Sequence, residues 1–327
     1  MYPSIFRFWP AVLLFPAVLG LSVEITQDFP LGSEVENLAL RPSGSALATV
    51  YTFPHIYEVD VSEYSTPKLL HTFHNTSGAC GIAASSEPDV YFVLTGNFSF
   101  HTFSPVPGSY AIHRLSFSKR GKATVKQLAP LGDISQPNGM IAVPNSPYVL
   151  IADTRGGYVY RFNTETLQLT TYFDDLLLKP KPTQGSGVFG VNGVKLWKGF
   201  LYFSNSNQQI VARIKASGKE SRLEGCPEVV ALQTPVDDFI VDDITGDLYV
   251  TEQGAINGLG LVRRNAYGSK PKTIVGGPGS TTLLAPTAAI WAKEAVGRTL
   301  IVSVTGGFKQ FVTQDYTGGA RLAVVHL

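Results

Sequence analysis

A pair of short apolar strands, separated by a polar or glycine-containing turn, recurs six times along this chain, and no other feature restricts its fold as strongly. The clearest copies are Glu36-Asn-Leu-Ala-Leu with Ala46-Leu-Ala-Thr-Val50, Asn138-Gly-Met-Ile-Ala with Tyr148-Val-Leu-Ile-Ala-Asp153, and Asn192-Gly-Val-Lys-Leu with Phe200-Leu-Tyr-Phe-Ser204. Asp238-Phe-Ile-Val-Asp with Asp247-Leu-Tyr-Val-Thr251 is a fourth, and more divergent copies begin at Gly81 and Thr287. The starts at 36, 81, 138, 192, 238 and 287 lie 45, 57, 54, 46 and 49 residues apart. That spacing is the length of a four-stranded propeller blade. An all-β, six-bladed β-propeller is expected, closed by Ser22-Val-Glu-Ile-Thr26 and Ala320-Arg-Leu-Ala-Val-Val-His326, which would hide both sheet edges. A β-sandwich accounts for the strands but not for six units of similar length.

Composition agrees. With 327 residues, 44% of them hydrophobic, the chain can bury a large core, and 32 Gly and 21 Pro suit many strands joined by tight turns. A net charge of +1 without a basic block excludes nucleic acid as a partner. Residues 1–22 carry Arg7 as their one charge, then an apolar run from Pro10 to Leu19 that ends in small residues. This reads as a secretory signal peptide, too short and too rich in proline to span a membrane. The propeller domain is then 23–327, and the protein is expected in the secretory pathway or outside the cell. The sequons at Asn75 and Asn97 fit such a glycoprotein. Cys80 and Cys226 are permitted a disulfide there; two free thiols are the alternative.

The residue just before each first strand should sit at the same end of the central channel. Those residues include Glu36, Asn138, Asn192 and Asp238. Two carboxylates and two amides converging on one axis make a hard-oxygen site for Ca²⁺ or Mg²⁺. The competing reading is local, since Asn-Gly is a common turn dipeptide.

On these residues the chain resembles the senescence-marker-protein/gluconolactonase family of six-bladed propellers, whose metal is held by a Glu, two Asn and an Asp from four of the repeats. The resemblance implies Glu36, Asn138, Asn192 and Asp238 as the metal ligands. Glu36 stands in Val35-Glu-Asn-Leu-Ala rather than the family's Gly-Glu-Gly-Pro. The segments Glu36-Asn-Leu-Ala-Leu-Arg-Pro, Pro107-Gly-Ser-Tyr-Ala-Ile, Asn138-Gly-Met and Ser146-Pro-Tyr-Val-Leu-Ile-Ala-Asp153 further resemble a fungal branch of secreted propellers from natural-product clusters. Some members of that branch are hetero-Diels-Alderases that join a tropolone quinone methide to a humulene-type sesquiterpene. The resemblance implies a pericyclase of secondary metabolism acting on small apolar substrates, with no cofactor required for the cycloaddition. The alternative it implies is a divalent-metal-dependent lactonase or esterase.

A cycloaddition needs no nucleophile, only a pocket that holds both reactants in contact. Loops following each second strand should open on the face of the putative ligands, and they hold Tyr51, Phe53, Phe98, Phe100, Phe103 and Phe308 as apolar contacts. His101, Arg155 and Lys309 are candidate donors to polarise a quinone methide carbonyl, and Asp238 is the candidate base of the hydrolase. No Gly-x-Ser-x-Gly and no His-Glu-x-x-His occurs. Gly185-Ser-Gly-Val-Phe-Gly190 fits a dinucleotide fingerprint in letters only; it follows Lys179-Pro-Lys-Pro182 rather than a strand, and reads as a loop at the channel mouth, suited to act as a lid.

Overall fold

The computed structural model describes residues 21–26, 28–62, 64–100, 102, 104–132, 134–181, 189–293, 298–307 and 319–327. Residues 1–20 of the expected signal segment, His101, Phe103, Phe308, Lys309 and most of the glycine-rich loop lie outside these residues.

The chain enters with β1 (Ser22–Ile25) and then builds blades in order. Blade 1 is β2 (Val35–Leu40), β3 (Ala46–Val50), β4 (His55–Val59) and β5 (Lys68–Thr72). Blade 2 begins with β6 (Gly78–Ala84) and β7 (Val90–Gly96), inserts a hairpin of β8 (Phe98–Ser99) and β9 (Ser104–Pro105), and finishes with β10 (Ala111–Phe117) and β11 (Ala123–Pro130). Blade 3 is β12 (Pro137–Ala142), β13 (Tyr148–Asp153), β14 (Tyr158–Asn163) and β15 (Leu169–Phe173). Blade 4 is β16 (Val191–Trp197), β17 (Phe200–Asn205), β18 (Ile210–Ser217) and β19 (Arg222–Leu232). Blade 5 is β20 (Val236–Val241), β21 (Leu248–Glu252), β22 (Gly258–Val262) and β23 (Lys272–Gly276). Blade 6 is β24 (Pro286–Trp291), β25 (Thr299–Val304) and β26 (Arg321–His326), with β1 as its outer strand.

The expected six-bladed propeller is therefore observed, with inner strands β2, β6, β12, β16, β20 and β24 neighbouring one another around the ring. Closure joins the two ends of the sequence: Ser22 to Ile25 pair antiparallel with His326 to Ala323, and Phe29 N–H extends the seam to Ala320 O at 2.8 Å. No α-helix occurs among the described residues; a single 3₁₀ turn spans Arg264–Ala266. Cys80 is buried on β6 and Cys226 exposed on β19, so both are free thiols and the permitted disulfide does not form.

Burial explains the unbroken apolar runs that marked the repeats. Six apolar clusters fill the six gaps between adjacent blades, so inner and second strands are covered on both faces. In β3 and β7 every residue is buried, whereas the outer β1 alternates exposed and half-buried positions and β11 is mostly exposed or half-buried.

All six inner strands carry the same irregularity near their start. Val35 pairs with Val50 but Leu38 with Ala48, so one extra residue bulges from β2, and the same offset recurs in β6, β12, β16, β20 and β24. The two residues in each bulge are Glu36–Asn37, Cys80–Gly81, Asn138–Gly139, Asn192–Gly193, Asp237–Asp238 and Thr287–Ala288. The Asn-Gly pairs are thus not turns. Their glycines are required because a Cβ on Gly139 would overlap the Asn192 carbonyl, and one on Gly193 would overlap the Asp238 carboxylate.

A bulge strands backbone groups, and hydroxyls on the second strands satisfy them. Thr251 Oγ1 accepts from Asp238 N–H at 3.0 Å and lies 2.7 Å from Asp238 O and 3.1 Å from Thr287 O, reaching the next blade. Ser204 Oγ likewise accepts from Gly193 N–H and donates to Asp237 O, both at 2.7 Å. Thr49 reaches Cys80 O, and Thr287 Oγ1 donates to Val35 O at 2.6 Å, across the junction of blades 6 and 1. Thr251→Val keeps the shape but orphans these groups, so it should cost about 2 kcal/mol in unfolding free energy. Denaturant titration checks this, and a loss under 0.5 kcal/mol would contradict the assigned role.

Candidate functional site at the channel mouth

The first bulge residues of blades 1, 3, 4 and 5 line a half-enclosed cavity of about 280 Å³ at the propeller axis. Its floor is Glu36, Asn138, Asn192 and Asp237, joined by Glu34, Gln136, Ser206 and Gln253; its walls are Tyr51, Phe98, Phe100 and Phe189. The bulge position in blades 2 and 6 is filled by Cys80 and Thr287, whose side chains bond to Pro137 O at 3.3 Å and Val35 O at 2.6 Å.

The bulge register corrects one expected ligand. Asp238 is the second bulge residue of blade 5, and both its oxygens bond to Lys195 Nζ, at 2.8 and 2.6 Å. Asp237, the preceding residue, lines the cavity in the place aligned with Glu36, Asn138 and Asn192. Counting Asp238 as the start of its strand put the repeat one residue out of step. The structure brings Glu36, Asn138, Asn192, Tyr51, Phe98 and Phe100 together at the cavity. Phe53 lies elsewhere, against the cluster between blades 6 and 1 and stacked on His55 at 5.7 Å. Arg155 is half-buried in the loop after β13 and does not line the cavity.

The aromatic wall is built by the β8–β9 insert. Phe98 stacks on Tyr51 at 5.1 Å, and Phe100 meets Tyr51 and Phe98 edge-on at 5.4 and 5.0 Å. Asn97 anchors the insert, its Oδ1 accepting from Ser77 N–H at 2.7 Å and its carbonyl from Val106 N–H at 2.9 Å. Asn97 is half-buried at this base, whereas Asn75 is exposed.

The floor is a network of acids and amides. Asn138 Nδ2 donates to Glu36 Oε1 at 2.7 Å, while Asn192 Nδ2 and Gln253 Nε2 both donate to Asp237. Burial pushes Glu34 well above the usual carboxyl range, and the charge of Glu36 and a hydrogen bond between the two carboxyls push it further. Burial likewise raises Glu36, against hydrogen bonds from Glu34 and Asn138 that lower it. Asp237 is raised well above its ordinary value by burial and then by the charges of Glu36 and Asp238. Sequence reading missed Glu34 and Gln136, although both stand two residues before a floor residue, the spacing that puts strand side chains on one face.

Among the described residues no three His, Cys, Asp or Glu side chains are grouped closely enough to hold a metal by themselves. A cation here would need the amide oxygens. Asn138 Oδ1 and Glu34 Oε2 are buried without a hydrogen-bond partner, so the donor set of Glu36, Asn138, Asn192 and Asp237 fits a hard divalent ion once the amides turn their oxygens inward. A larger groove of about 940 Å³ lies between blades 1 and 6 at the other end of the strands. It is lined mostly by exposed or half-exposed serines, threonines and charged groups, with no comparable cluster of buried acids.

No protein-family model and no curated protein sequence matches the chain. Its fold is similar to solved six-bladed propellers. A calcium-binding protein, regucalcin, from Agrobacterium tumefaciens has a TM-score of 0.60 at 13% identity, over 92% of each chain. A luciferin-regenerating enzyme has 0.61 at 10% identity, over 94% of this chain and 96% of its own. The PQQ-bound aldose sugar dehydrogenase of Streptomyces coelicolor has 0.58 at 15%, over 94% and 98%. At 10–15% identity the likeness is one of fold.

Raised carboxyls make a pH prediction. Between the ordinary carboxyl value and its raised one, the folded chain holds protons that the unfolded chain has released, so stability falls as pH rises through that window. His113 has the opposite sign: burial and then His71 lower it to about 4, so stability is lost as pH drops below 6.5. Glu34→Gln should therefore raise Tm at pH 8 by roughly 1–2 °C, about 1 kcal/mol for a chain of this size, and flatten the decline of stability with rising pH. An unchanged slope in calorimetry would contradict it.

Proposed function

We propose that the protein is a small-molecule enzyme whose reaction chamber is the channel-mouth cavity, and that its reaction is the hetero-Diels-Alder joining of a tropolone quinone methide to a humulene-type sesquiterpene. The observation that carries this reading is the pairing, in one cavity, of four aromatic rings with a buried polar floor whose described lining residues include no histidine, cysteine or lysine. A hetero-Diels-Alder step closes one C–C and one C–O bond without moving a proton, so it needs placement rather than a nucleophile and base. Holding two reactants in contact supplies up to roughly 7–11 kcal/mol of the barrier. The floor would orient the oxygenated reactant. Phe98, Phe100 and Phe189 would hold the hydrocarbon, with the cavity's modest volume placing one reactant at the floor and the other in the mouth. The secretory route and glycans at Asn75 and Asn97 belong to the same reading.

A second reading, a divalent-metal-dependent lactonase or esterase, is favoured by the ring of Glu36, Asn138, Asn192 and Asp237. Those residues would hold the ion, which would supply Lewis-acid polarisation of a carbonyl and a more acidic water. Asn192 and Gln253 would keep Asp237 in place through the hydrogen bonds they already make.

Incubation of the protein with humulene and a quinone methide tests the proposal: adduct should form faster and with higher stereoselectivity than in buffer. Replacing Phe98 and Phe100 together with Ala should cost more than tenfold in rate, which is about 1.4 kcal/mol, while circular dichroism stays native. Asp237→Asn should leave the cycloaddition within a few-fold but abolish a hydrolase. Adduct formation at the spontaneous rate, with Ca²⁺-dependent hydrolysis of simple lactones, would hand the site to the second reading.

A further inference from the structure

We propose that Gln136 and Glu34 form an acceptor pair that reads hydroxyl groups on the polar reactant, so that the cavity selects a hydroxylated conjugated ring over its ether. This rests on the reading of the cavity as the reaction chamber, and it names the ligand class that its floor recognises.

Glu34 and Gln136 occupy the same place in blades 1 and 3, two residues before the bulge residues Glu36 and Asn138. The corresponding residues in the other blades are Gly78, Gly190, Pro235 and Ala285, so only these two blades place a polar side chain there. Both are fixed through their backbones. Asp153 accepts from Gln136 N–H at 2.8 Å and from Ser135 N–H at 2.9 Å, while Glu34 N–H bonds to Thr52 Oγ1 at 2.9 Å and Glu34 O accepts from Tyr51 N–H at 2.8 Å. Gln136 Nε2 donates to Tyr51 OH at 3.2 Å, which leaves Gln136 Oε1 as the free end of its amide.

Gln136 Oε1 and Glu34 Oε2 lack a hydrogen-bond partner although these residues are 1% and 2% exposed; Asn138 Oδ1, beside them on the floor, is in the same condition. Buried acceptors left unpaired are costly. The cavity's own amide donors are committed elsewhere: Asn138 Nδ2 to Glu36, Asn192 Nδ2 to Asp237 and Ser206, and Gln253 Nε2 to Asp237. The proton on the floor lies between the Glu34 and Glu36 carboxyls, so donors for Gln136 Oε1 and the remaining Glu34 oxygen, Oε2, must come from the ligand. A ring bearing hydroxyls supplies them while its faces lie against Tyr51, Phe98 and Phe100. An ether of the same shape cannot donate, and a site built to bond a hydroxyl rejects the analogue that lacks it.

The test uses EDTA-treated protein and two probes, resorcinol and 1,3-dimethoxybenzene, titrated by ligand-observed NMR. Resorcinol should bind at least roughly tenfold more tightly. Gln136→Met should erase most of that preference, and Gln136→Glu, which keeps acceptor oxygens, should retain it. Equal affinity of the wild-type protein for both probes overturns the proposal, as does an intact preference in a folded Gln136→Met. So does a Gln136→Met variant that loses Ca²⁺ affinity as steeply as resorcinol affinity, since the oxygens would then be cation ligands. A protein that prefers resorcinol but accelerates no cycloaddition keeps the acceptor pair and loses the reaction. One that accelerates it without the preference loses the pair alone.

Discussion

The bulge near the start of each inner strand is the constraint on which the rest of this propeller depends. It turns two consecutive residues out of the regular pleat, and in blades 1, 3, 4 and 5 the first of them reaches the axial cavity. The hydroxyls of Ser204 and Thr251 then satisfy the loosened backbone and bridge to the next blade. A single local device thereby sets the blade-to-blade approach and decides which side chains reach the cavity. The glycines at 81, 139 and 193 belong to the same device, since their missing side chains let the next inner strand, or the carboxylate it carries, come close.

Repeat length, blade number and ring closure were legible in the sequence because burial on both faces writes a long apolar run for each inner and second strand. Two ends with strand character, Ser22 to Ile25 and Arg321 to His326, fitted a closing blade for the same reason. Register at the axis was less legible. Asp237 and Asp238 are chemically identical, and only the bulge count distinguishes the one in the cavity from the one paired with Lys195. Asn-Gly at 138 and 192 carried an ambiguous signal, because the dipeptide that suits a turn also suits a bulge whose second residue can bear no Cβ.

The aromatic wall shows a different limit. Phe53 and Phe98 follow second strands in adjacent blades and look equivalent as letters, yet one packs outward against blade 6 and the other stacks on Tyr51. The difference comes from the insert between β7 and β10, whose hairpin folds back over the mouth and is held by Asn97. Gly96 permits the fold: a side chain there would run into the Tyr110 ring. Insert length marked this segment as unusual, but the direction of its return depends on contacts with Ser77 and Tyr51 that lie outside the segment itself.

Acids gathered at the axis weaken the fold on their own. Glu34, Glu36 and Asp237 are all raised by burial, while Lys195 is committed to the neighbouring Asp238. Core residues chosen for stability alone would not include three such groups, because apolar side chains of similar volume avoid the desolvation cost. The six apolar seams and the closing strand supply the stability that lets the axis carry them. Desolvated polar groups with unpaired oxygens, fixed in place before a ligand arrives, are what a preorganised site requires. The same bulges that knit the blades together therefore also hold the buried acids and unpaired oxygens at the axis.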